Sequence, residues 1–245
     1  MIKHAFILGA GFGSRMRPLT ETTPKPLIKL GGKALIDQVI EGLVSVGVEQ
    51  IIVNVHYLAD QLEAHLKNHA FKNIIISDER AELLDTGGGA FKALHHFNNE
   101  PFFIHNSDSV WIEHGTQPDG ISQNLSAMVK EFEASQMDCL MLLANRHNSL
   151  GYSGKGDFLM DQHQLIKRRP KEIATDHVFA GVSINTTDLF ANSPEGAFSL
   201  NLLWDKSIEQ GRIKGIRHQG KWMHVGTKEA LAEAEACLIK AQQTA

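Results

Sequence analysis

Short apolar runs that alternate with amphipathic stretches constrain the fold of this chain more than any other feature. The runs are bounded by glycine or polar residues and cover residues 5–8, 51–55, 74–76, 102–106, 139–143 and 178–184. Continuous apolar runs of this length are typical of strands buried on both faces of a sheet. The segments between them place apolar residues at helical spacing over 35–46, 58–66 and 125–132, and from about residue 88. The alternation predicts an α/β fold, with a Rossmann-like mixed, mostly parallel sheet and helices on both faces.

The pattern changes after residue 144, and the change predicts a hairpin. Residues 157–160 and 164–167 have the alternating pattern of short strands around a polar turn. We expect this hairpin to be inserted into the sheet and not to form a separate domain. A last helix is predicted over residues 228–241, where Leu231, Ala234 and Leu238 share one face.

Composition and charge exclude several classes of protein. The chain has 245 residues, of which 42% are hydrophobic and 21% charged, so most of it is not disordered. A formal net charge of -4 gives no general attraction to nucleic acid or to an anionic membrane. The apolar runs are far shorter than the roughly 20 residues of a membrane helix. We therefore predict a cytoplasmic protein without nucleic-acid or membrane partners, in which any anion is bound locally.

The two cysteines do not predict a disulfide framework or a metal site. Cys139 lies in an apolar run, and Cys237 lies in the last predicted helix. Neither has partner ligands at the spacing of a metal site. Both are predicted to be buried thiols.

The loop after the first predicted strand has the composition of a phosphate-binding loop. Gly9, Gly11 and Gly13 alternate along it, which lets the backbone turn tightly and present bare N–H groups to an anion. The dinucleotide-binding fingerprint requires a third glycine where Ser14 stands, and Pro18 interrupts the helix that should follow. The Walker motif is also absent from the sequence. Glycines alone are equally compatible with a structural turn.

Two cations strengthen the prediction of a phosphate site. Lys25 stands between Pro24 and Pro26, so its ammonium group is carried on a stiff backbone. Arg15 follows the glycines directly. Arginine suits forked contacts with phosphate oxygens, and lysine acts as a compact point charge. We expect both side chains to converge on one polyphosphate.

These motifs resemble a known family of enzymes. Residues 8–20, together with 24–27, resemble the signature of the sugar-1-phosphate nucleotidyltransferases. Four further segments are similar to the short bacterial members that act on N-acetylmuramate 1-phosphate as uridylyltransferases, namely 85–94, 106–108, 156–158 and 222–227. The resemblance implies the nucleotide-diphospho-sugar transferase fold in a single domain over 1–245. Within that domain it implies a mainly nucleotide-binding half (1–115), a mainly sugar-binding half with the hairpin (116–227) and a C-terminal helix (228–245).

The resemblance also implies a reaction. An oxygen of the sugar 1-phosphate would attack the α-phosphorus of a nucleoside triphosphate, and pyrophosphate would leave. The implied substrates are UTP and N-acetylmuramate 1-phosphate, and the product is the UDP-sugar of a peptidoglycan-recycling route. Mannose-1-phosphate guanylyltransferase is an alternative from the same superfamily. An alternative of another class is a noncatalytic nucleotide-sugar sensor. The sequence does not define an oligomeric state.

Individual residues take roles by the same resemblance. The implied catalytic residues are Arg15, Lys25 and Asp108. The residues implied in nucleotide binding are Gly11, Gly13, Ser14, Arg15, Lys25, Gly87, Gly88 and Asn106. The residues implied in sugar binding are Asn106, Asp157 and Gly181. For Asp157, a turn residue that opens the hairpin is the structural alternative.

A metal site is implied at Asp108 and His224. Asp108 follows a predicted strand, and a hard carboxylate suits Mg²⁺ that is bound jointly with substrate phosphates. Family members usually have a second aspartate where His224 stands. Imidazole is a softer ligand that favours Mn²⁺ or Co²⁺ relative to Mg²⁺, so the metal preference can differ. In the alternative, His224 does not ligate the ion.

Overall fold

The structure, a computed structural model, describes residues 1–113 and 120–244. Its strands are, in chain order, β1 (His4–Leu8), β2 (Lys29–Leu30), β3 (Lys33–Ala34), β4 (Gln50–Val55), β5 (Ile74–Asp78), β6 (Phe102–Asn106), β7 (Ser109–Ile112), β8 (Cys139–Asn145), β9 (Phe158–Met160), β10 (Ile166–Arg168), β11 (His177–Asn185), β12 (Ile213–Arg217) and β13 (Lys221–His224). Its helices are α1 (Leu19–Thr22), α2 (Leu35–Ser45), α3 (Ala59–Lys67), α4 (Asp85–Ala93), α5 (Gln123–Glu131), α6 (Asn201–Glu209) and α7 (Lys228–Thr244).

A mixed sheet organises the two halves of the chain. β6, β1, β4 and β5 lie side by side and run parallel, which confirms the alternation predicted from the sequence. β11 joins this group through an antiparallel pairing with β6. β11 also pairs with β8 and β9, and β12 runs parallel to β8. The sheet is therefore parallel where the first half forms it and acquires antiparallel pairs where the second half joins.

Both faces of the sheet are buried. Successive side chains of β1 point to opposite faces, and they enter two different cores. Ala5 and Ile7 belong to a core that includes apolar residues of α2, α3 and α5. Phe6 belongs to a second core that includes apolar residues of α4 and α6. A third cluster lies beneath α7 and contains Met16, which follows the glycine loop, and Met223 of β13. Because β6, β1, β4 and β5 run parallel, their carboxyl ends lie at one edge of the sheet, which is where ligands bind in open α/β sheets.

The hairpin predicted in the second half is present as β9 and β10, which pair antiparallel. It adjoins the sheet where Phe158 of β9 is opposite His177 of β11. Sequence patterns did not predict β7, β12, β13 or α6. β13 pairs with β7 in a separate small sheet, and this pairing brings the segment around His224 next to the end of β6.

Three expectations need correction or lie outside the structure. Helix α4 begins at Asp85 and not near Gly88, so the three glycines lie within its first turns. Cys139 is buried as predicted, but Cys237 is only partly buried. The predicted boundary between the halves, at 115 and 116, falls outside the described residues. Among those residues, no helix has the length and apolar character needed to cross a membrane.

Candidate active site

The glycine loop is anchored at both ends. The amide of Gly9 donates to Asn54 Oδ1 at 2.7 Å, and a Cβ at this position would lie 2.8 Å from the Asn54 carbonyl oxygen. Gly13 has a φ of 62°, a left-handed conformation that favours glycine. Its carbonyl oxygen accepts hydrogen bonds from Met16 N and Thr20 Oγ1, both at 2.9 Å. The backbone around Gly11 is open, with nothing within 4 Å of where its Cβ would be. The backbone of the loop is therefore accessible to an anion at Gly11.

Lys25 and Asp108 form an ion pair at the edge of the sheet. The Lys25 ammonium donates to Asp108 Oδ2, and only 14% of the lysine side chain and 11% of the aspartate side chain are exposed. Lys25 begins a short 3-10 turn that is closed by a 2.8 Å bond from Leu27 N to Pro24 O. Asp108 lies in the turn between β6 and β7, just beyond the end of the strand. The two side chains are 83 residues apart in sequence but in direct contact in a largely buried part of the structure.

The electrostatic environment of Asp108 favours its charged form. Burial alone would raise the pKa of this carboxyl, but Lys25 and, more weakly, His224 lower it, so that the pKa is below its ordinary value. His224 Nδ1 is 3.6 Å from Asp108 Oδ2. Burial lowers the pKa of His224, and Asp108 opposes this while the Lys25 and Arg15 cations add to it. A neutral imidazole beside an ionised carboxylate is a pair of groups able to ligate a divalent cation.

A cavity of about 270 Å³ connects the glycine loop with Lys25 and Asp108, and its described lining does not include Arg15 or His224. Its lining includes residues of the glycine loop, the ion pair, the turn after β6 and the segment that precedes α4: Leu8, Gly9, Ala10, Gly11, Lys25, Pro26, Asn54, Leu83, Asp85, Thr86, Asn106, Ser107 and Asp108. A larger cavity, of about 370 Å³, is lined by residues of α2, β7 and α5, among others. Its described lining contains neither Lys25 nor Asp108. We therefore place the candidate active site in the smaller cavity, where the charged groups converge.

Comparison with known proteins identifies the family. The model of the nucleotidyl transferase family matches residues 4–241. The chain belongs to this family. The N-acetylmuramate alpha-1-phosphate uridylyltransferase of Caulobacter vibrioides is 40% identical over 243 residues, 98% of each chain. The mannose-1-phosphate guanylyltransferase catalytic subunit beta of Drosophila melanogaster is 41% identical over 110 residues, 43% of this chain and 30% of that protein.

A solved structure agrees with the fold. The structure of UDP-glucose pyrophosphorylase complexed with UDP-glucose has a TM-score of 0.79 and 18% sequence identity, and the match covers 98% of this chain and 100% of that one. The predicted family and the predicted nucleotide-diphospho-sugar transferase fold are thus confirmed. The protein is an enzyme of the sugar-1-phosphate nucleotidyltransferase class.

The glycines of α4 lie within its first turns in this nucleotidyl transferase. The resemblance implies that Gly87 and Gly88 bind the nucleotide. In the structure both donate to the carbonyl oxygen of Phe198, at 2.9 and 3.1 Å. A Cβ at Gly87 would lie 2.5 Å from Phe198 Cδ2. These amides are therefore already bonded within the protein, and the predicted role of Gly87 and Gly88 in nucleotide binding stays a prediction. The residues just before them, Asp85 and Thr86, line the cavity instead.

Sequence reasoning also missed a buried polar network behind the cavity. Asn54 Nδ2 donates to Glu79 Oε1 at 2.8 Å, and Leu84 N donates to Glu79 Oε2 at 3.1 Å. Since Asn54 also holds Gly9, the network links the glycine loop to the segment that precedes α4. Only 1% of Glu79 is exposed. The one signal in the sequence is that Asn54 interrupts an otherwise apolar run.

The predicted sugar-binding residues lie along the amino-terminal half of β11, up to Gly181 at its middle. Asn106 lines the cavity, and a Cβ at Gly181 would lie 3.3 Å from the Cβ of Asn106. Asp157 is outside the described cavity lining. Its carboxylate accepts from Phe179 N at 2.9 Å and from the Tyr152 hydroxyl at 3.4 Å. Asp157 therefore has a structural role in holding Phe179 and Tyr152. Its predicted contact with the sugar stays a prediction.

Of the residues predicted to bind phosphate, some line the cavity and others do not. Gly11 lines the cavity, and Gly13 packs beside Lys25, whose Cβ would be 3.1 Å from a Cβ at the glycine. Ser14 begins a 3-10 turn and is exposed. Arg15 is exposed as well, and its Nη2 would lie 3.3 Å from a Cβ at Gly226, two residues beyond His224. Arg15 therefore lies on the His224 side of the site.

Proposed function

We propose that this nucleotidyl transferase transfers uridylate from UTP to N-acetylmuramate 1-phosphate and releases pyrophosphate. The proposal is supported by the 40% identity to the Caulobacter enzyme, which extends over 98% of both chains. The product would be UDP-N-acetylmuramate, formed in a peptidoglycan-recycling route. We place the reaction in the cytoplasm, where nucleoside triphosphates are made.

The observation that carries the proposal is the buried pair of Lys25 and Asp108 beside an open glycine loop. Nucleotidyl transfer needs alignment and neutralisation of phosphate charge more than a covalent nucleophile. Amides around Gly11 would receive the triphosphate. Lys25 would contact the α-phosphate and the attacking sugar phosphate, and Arg15 would stabilise the pyrophosphate that leaves. The glycine loop, with Gly13 and Ser14, would hold the remaining phosphate oxygens.

The donor set at Asp108 fits a divalent metal held jointly with substrate. Among the described residues, no three His, Cys, Asp or Glu side chains are grouped to hold a metal alone. Asp108 and His224 provide one carboxylate and one imidazole, so phosphate oxygens would complete the shell, as is usual for Mg²⁺. The metal would neutralise charge on the phosphates as they react. Mn²⁺ or Co²⁺ would be better tolerated than in a site with two carboxylates.

The sugar would bind next to Asn106 and the backbone around Gly181. Asn106 can contact either the nucleotide or the sugar, because it lies at the end of β6 in the cavity wall. Asp157 would support this side by fixing Phe179, two residues before Gly181. A direct bond from a sugar hydroxyl to Asp157 is compatible with the remaining acceptor capacity of its carboxylate.

A substrate matrix tests the proposal. Pyrophosphate release is measured for UTP and GTP, each with N-acetylmuramate 1-phosphate and with mannose 1-phosphate, under Mg²⁺, Mn²⁺ and Co²⁺. We expect the fastest release from UTP with N-acetylmuramate 1-phosphate. If GTP with mannose 1-phosphate is turned over and the first pair is not, the chain is a guanylyltransferase. If calorimetry detects UTP binding but no metal supports turnover, the protein is a nucleotide-sugar sensor.

A further inference from the structure

A buried asparagine behind the glycine loop uses both polar atoms of its side-chain amide. Asn54 belongs to β4, and only 2% of it is exposed. Its Oδ1 accepts from Gly9 N at 2.7 Å, and its Nδ2 donates to Glu79 Oε1 at 2.8 Å. Gly9 N requires an acceptor and the Glu79 carboxylate requires a donor, so both partners require the same orientation of the Asn54 amide. The first residue of the glycine loop is thus held by a side chain with one defined orientation.

Glu79 keeps the Asn54 amide in this orientation because its own carboxylate is fixed. Only 1% of Glu79 is exposed, and Leu84 N donates to its Oε2 at 3.1 Å. A Cβ at Gly89 of α4 would lie 2.7 Å from Glu79 Oε1 and 3.0 Å from Asn54 Nδ2. The backbone of α4 therefore packs directly against the bond between the two side chains. The pair is held by the turn before α4 and by the helix itself.

The bond to Asn54 distinguishes the first amide of the loop from the two that follow. Gly9 N is bonded, whereas no described residue accepts from Ala10 N or Gly11 N. Ala10 and Gly11 both line the candidate active-site cavity. Successive loop amides bind phosphate oxygens best when the backbone is already held in position, because ordering a loop on binding costs conformational entropy. Asn54 is therefore placed to hold these amides in position for an anion.

We propose that Asn54 is a positioning residue for the triphosphate. It acts through Gly9, whose amide it binds, and thereby keeps the amides of Ala10 and Gly11 available to phosphate oxygens. Glu79 supports this role by fixing the orientation of the Asn54 amide. The inference rests on the proposed function for the presence of a nucleoside triphosphate, and it adds which side chain preorganises the phosphate loop.

The variant Asn54→Leu tests the inference, because leucine has a similar branched shape and no hydrogen-bonding atoms. Dissociation constants for UTP and UMP are measured by calorimetry with Mg²⁺ and without sugar phosphate. The ratio of the two constants reports what the β- and γ-phosphates contribute to binding, whereas a general loss of structure would weaken both ligands alike. We expect the affinity for UTP to fall at least about tenfold in Asn54→Leu, and the affinity for UMP to change less than about threefold.

Two double variants keep the test valid if Asn54→Leu folds poorly, since that change leaves the buried Glu79 carboxylate with one donor fewer. Asn54→Asp/Glu79→Gln reverses the bond between the two side chains, and it preserves the net charge and an acceptor for Gly9 N. Asn54→Leu/Glu79→Gln shares the change at Glu79 but has no acceptor for Gly9 N. We expect the first double variant to keep the wild-type ratio of UTP to UMP affinity within about threefold, and the second to lose it.

Asn124→Leu is a matched control in another part of the molecule. Asn124 is also 2% exposed, its Oδ1 accepts from Gln219 N at 2.7 Å, and its Nδ2 donates to the Glu113 carboxylate. The same two kinds of hydrogen bond are therefore lost in this variant. Because Asn124 is outside the described lining of the candidate cavity, its replacement should lower thermal stability and leave the ratio of UTP to UMP affinity unchanged.

An unchanged ratio in both variants that carry Asn54→Leu overturns the inference. So does an equal loss of affinity for UTP and UMP, because Asn54 would then support the structure and not the phosphate site. Loss of the ratio in Asn54→Asp/Glu79→Gln also overturns it, since that variant retains the acceptor for Gly9 N.

These measurements need no turnover, so they are independent of the substrate matrix. If the matrix selects GTP, the same ratio is measured with GTP and GMP. A wild type that binds neither triphosphate more tightly than its monophosphate overturns both the inference and the proposed triphosphate site.

Discussion

Lys25 is the residue whose replacement tests the proposed chemistry most directly. Lys25→Met removes the cation that is paired with Asp108 in the cavity and keeps most of the apolar stem. We expect kcat to fall about 100- to 1,000-fold, the range for loss of one group that stabilises developing charge. Pyrophosphate release under saturating substrates measures it. Lys29→Met, which replaces an exposed lysine of β2, should leave kcat unchanged.

A folding defect in Lys25→Met must be separated from a catalytic one, because Asp108 is left as a buried, unpaired carboxylate. Adding Asp108→Asn removes that charge and should recover thermal stability but not activity. Near-wild-type turnover in Lys25→Met would contradict the role assigned to the lysine.

His224 determines the expected metal preference. His224→Asp places a second carboxylate near Asp108 Oδ2, from which the histidine Nδ1 is 3.6 Å distant. Hard oxygen ligands favour Mg²⁺ relative to softer metals. We expect the ratio of activity with Mg²⁺ to activity with Mn²⁺ to rise by about tenfold, on the scale typical of changes around a metal. Titrating each metal in the pyrophosphate assay measures the ratio. An unchanged ratio would show that His224 does not ligate the ion.

At the scale of elements, the contact between α4 and the Phe198 segment fixes one wall of the site. A glycine inside a helix normally costs about 0.5–1 kcal/mol relative to alanine. At Gly87, however, a Cβ would lie 2.5 Å from Phe198 Cδ2 and 2.9 Å from the Phe198 carbonyl oxygen. We therefore expect Gly87→Ala to lower the free energy of unfolding by about 1–3 kcal/mol, the usual cost of overpacking. Urea denaturation measures this change.

Gly42 in α2 provides the matched control for that experiment. Its Cβ would make only an ordinary 3.5 Å contact with Leu125 Cδ1. Gly42→Ala should therefore raise the free energy of unfolding by up to about 1 kcal/mol. If both variants were stabilised, the close packing of Gly87 on Phe198 would be refuted.

The contact between Gly87 and Phe198 also shows why the sequence predicts some elements and not others. β1 and β4 are continuous apolar strands, and α2 has a clear apolar face, so local patterns suffice. β13 contains charged and polar residues and pairs with β7 across more than a hundred residues, so no local pattern reveals it. Gly87 looks like part of a bare turn until Phe198 is placed beside it.

The same distinction between local patterns and long-range contacts applies to the candidate site. The glycine loop and Lys25 were predicted because the motif is local and resembles a known family. The network of Asn54 and Glu79 was not predicted, because its hydrogen bonds depend on neighbours brought together by the sheet. The topological rule for open α/β sheets predicts the edge at which a site forms, but not which amides remain free there.

At the scale of the whole molecule, a buried histidine should make stability depend on pH. His105 on β6 is 2% exposed, and burial lowers its pKa to about 4. Between that value and about 6.5, the unfolded chain binds a proton that the folded protein does not. Stability should therefore fall as pH drops through this window, by about 3 kcal/mol from His105 alone. Asp108, whose pKa is lowered, stabilises the fold at higher pH and loses its contribution only at more acidic values.

His105→Gln isolates this contribution. It removes the titrating ring and keeps a side chain that can bond to the Asn106 carbonyl oxygen, as His105 Nδ1 does at 2.9 Å. Urea denaturation at pH 7, 6, 5 and 4 gives the slope of stability against pH. We expect a shallower slope than in the wild type, whatever the variant's stability at pH 7. His163→Gln, an exposed replacement in the hairpin turn, should keep the wild-type slope. Equal slopes in all three proteins would contradict the effect of burial.

The two halves of the chain should unfold together, as a single domain. β6 of the first half pairs with β1 on one side and with β11 of the second half on the other. The Phe198 carbonyl oxygen also binds amides of α4 across the halves. Separating the halves would thus break a strand pairing in the middle of a buried sheet. We therefore expect one cooperative unfolding transition, although the chain is longer than the roughly 150 residues below which such a transition is usual.

Tryptophan fluorescence can report on unfolding from two different places in the molecule. Trp111 lies in the first half, and Trp204 and Trp222 lie in the second. In the variant Trp204→Phe/Trp222→Phe fluorescence reports on Trp111 of β7, where the first half pairs with β13. In the variant Trp111→Phe/Trp222→Phe it reports on Trp204 of α6, within the second half. In urea, fluorescence and circular dichroism should give the same midpoint within each variant, because all probes follow one transition. A fluorescence midpoint that precedes the loss of circular dichroism in either variant would mean that the halves unfold as separate units, and that the pairing of β6 with β11 contributes little to holding them together.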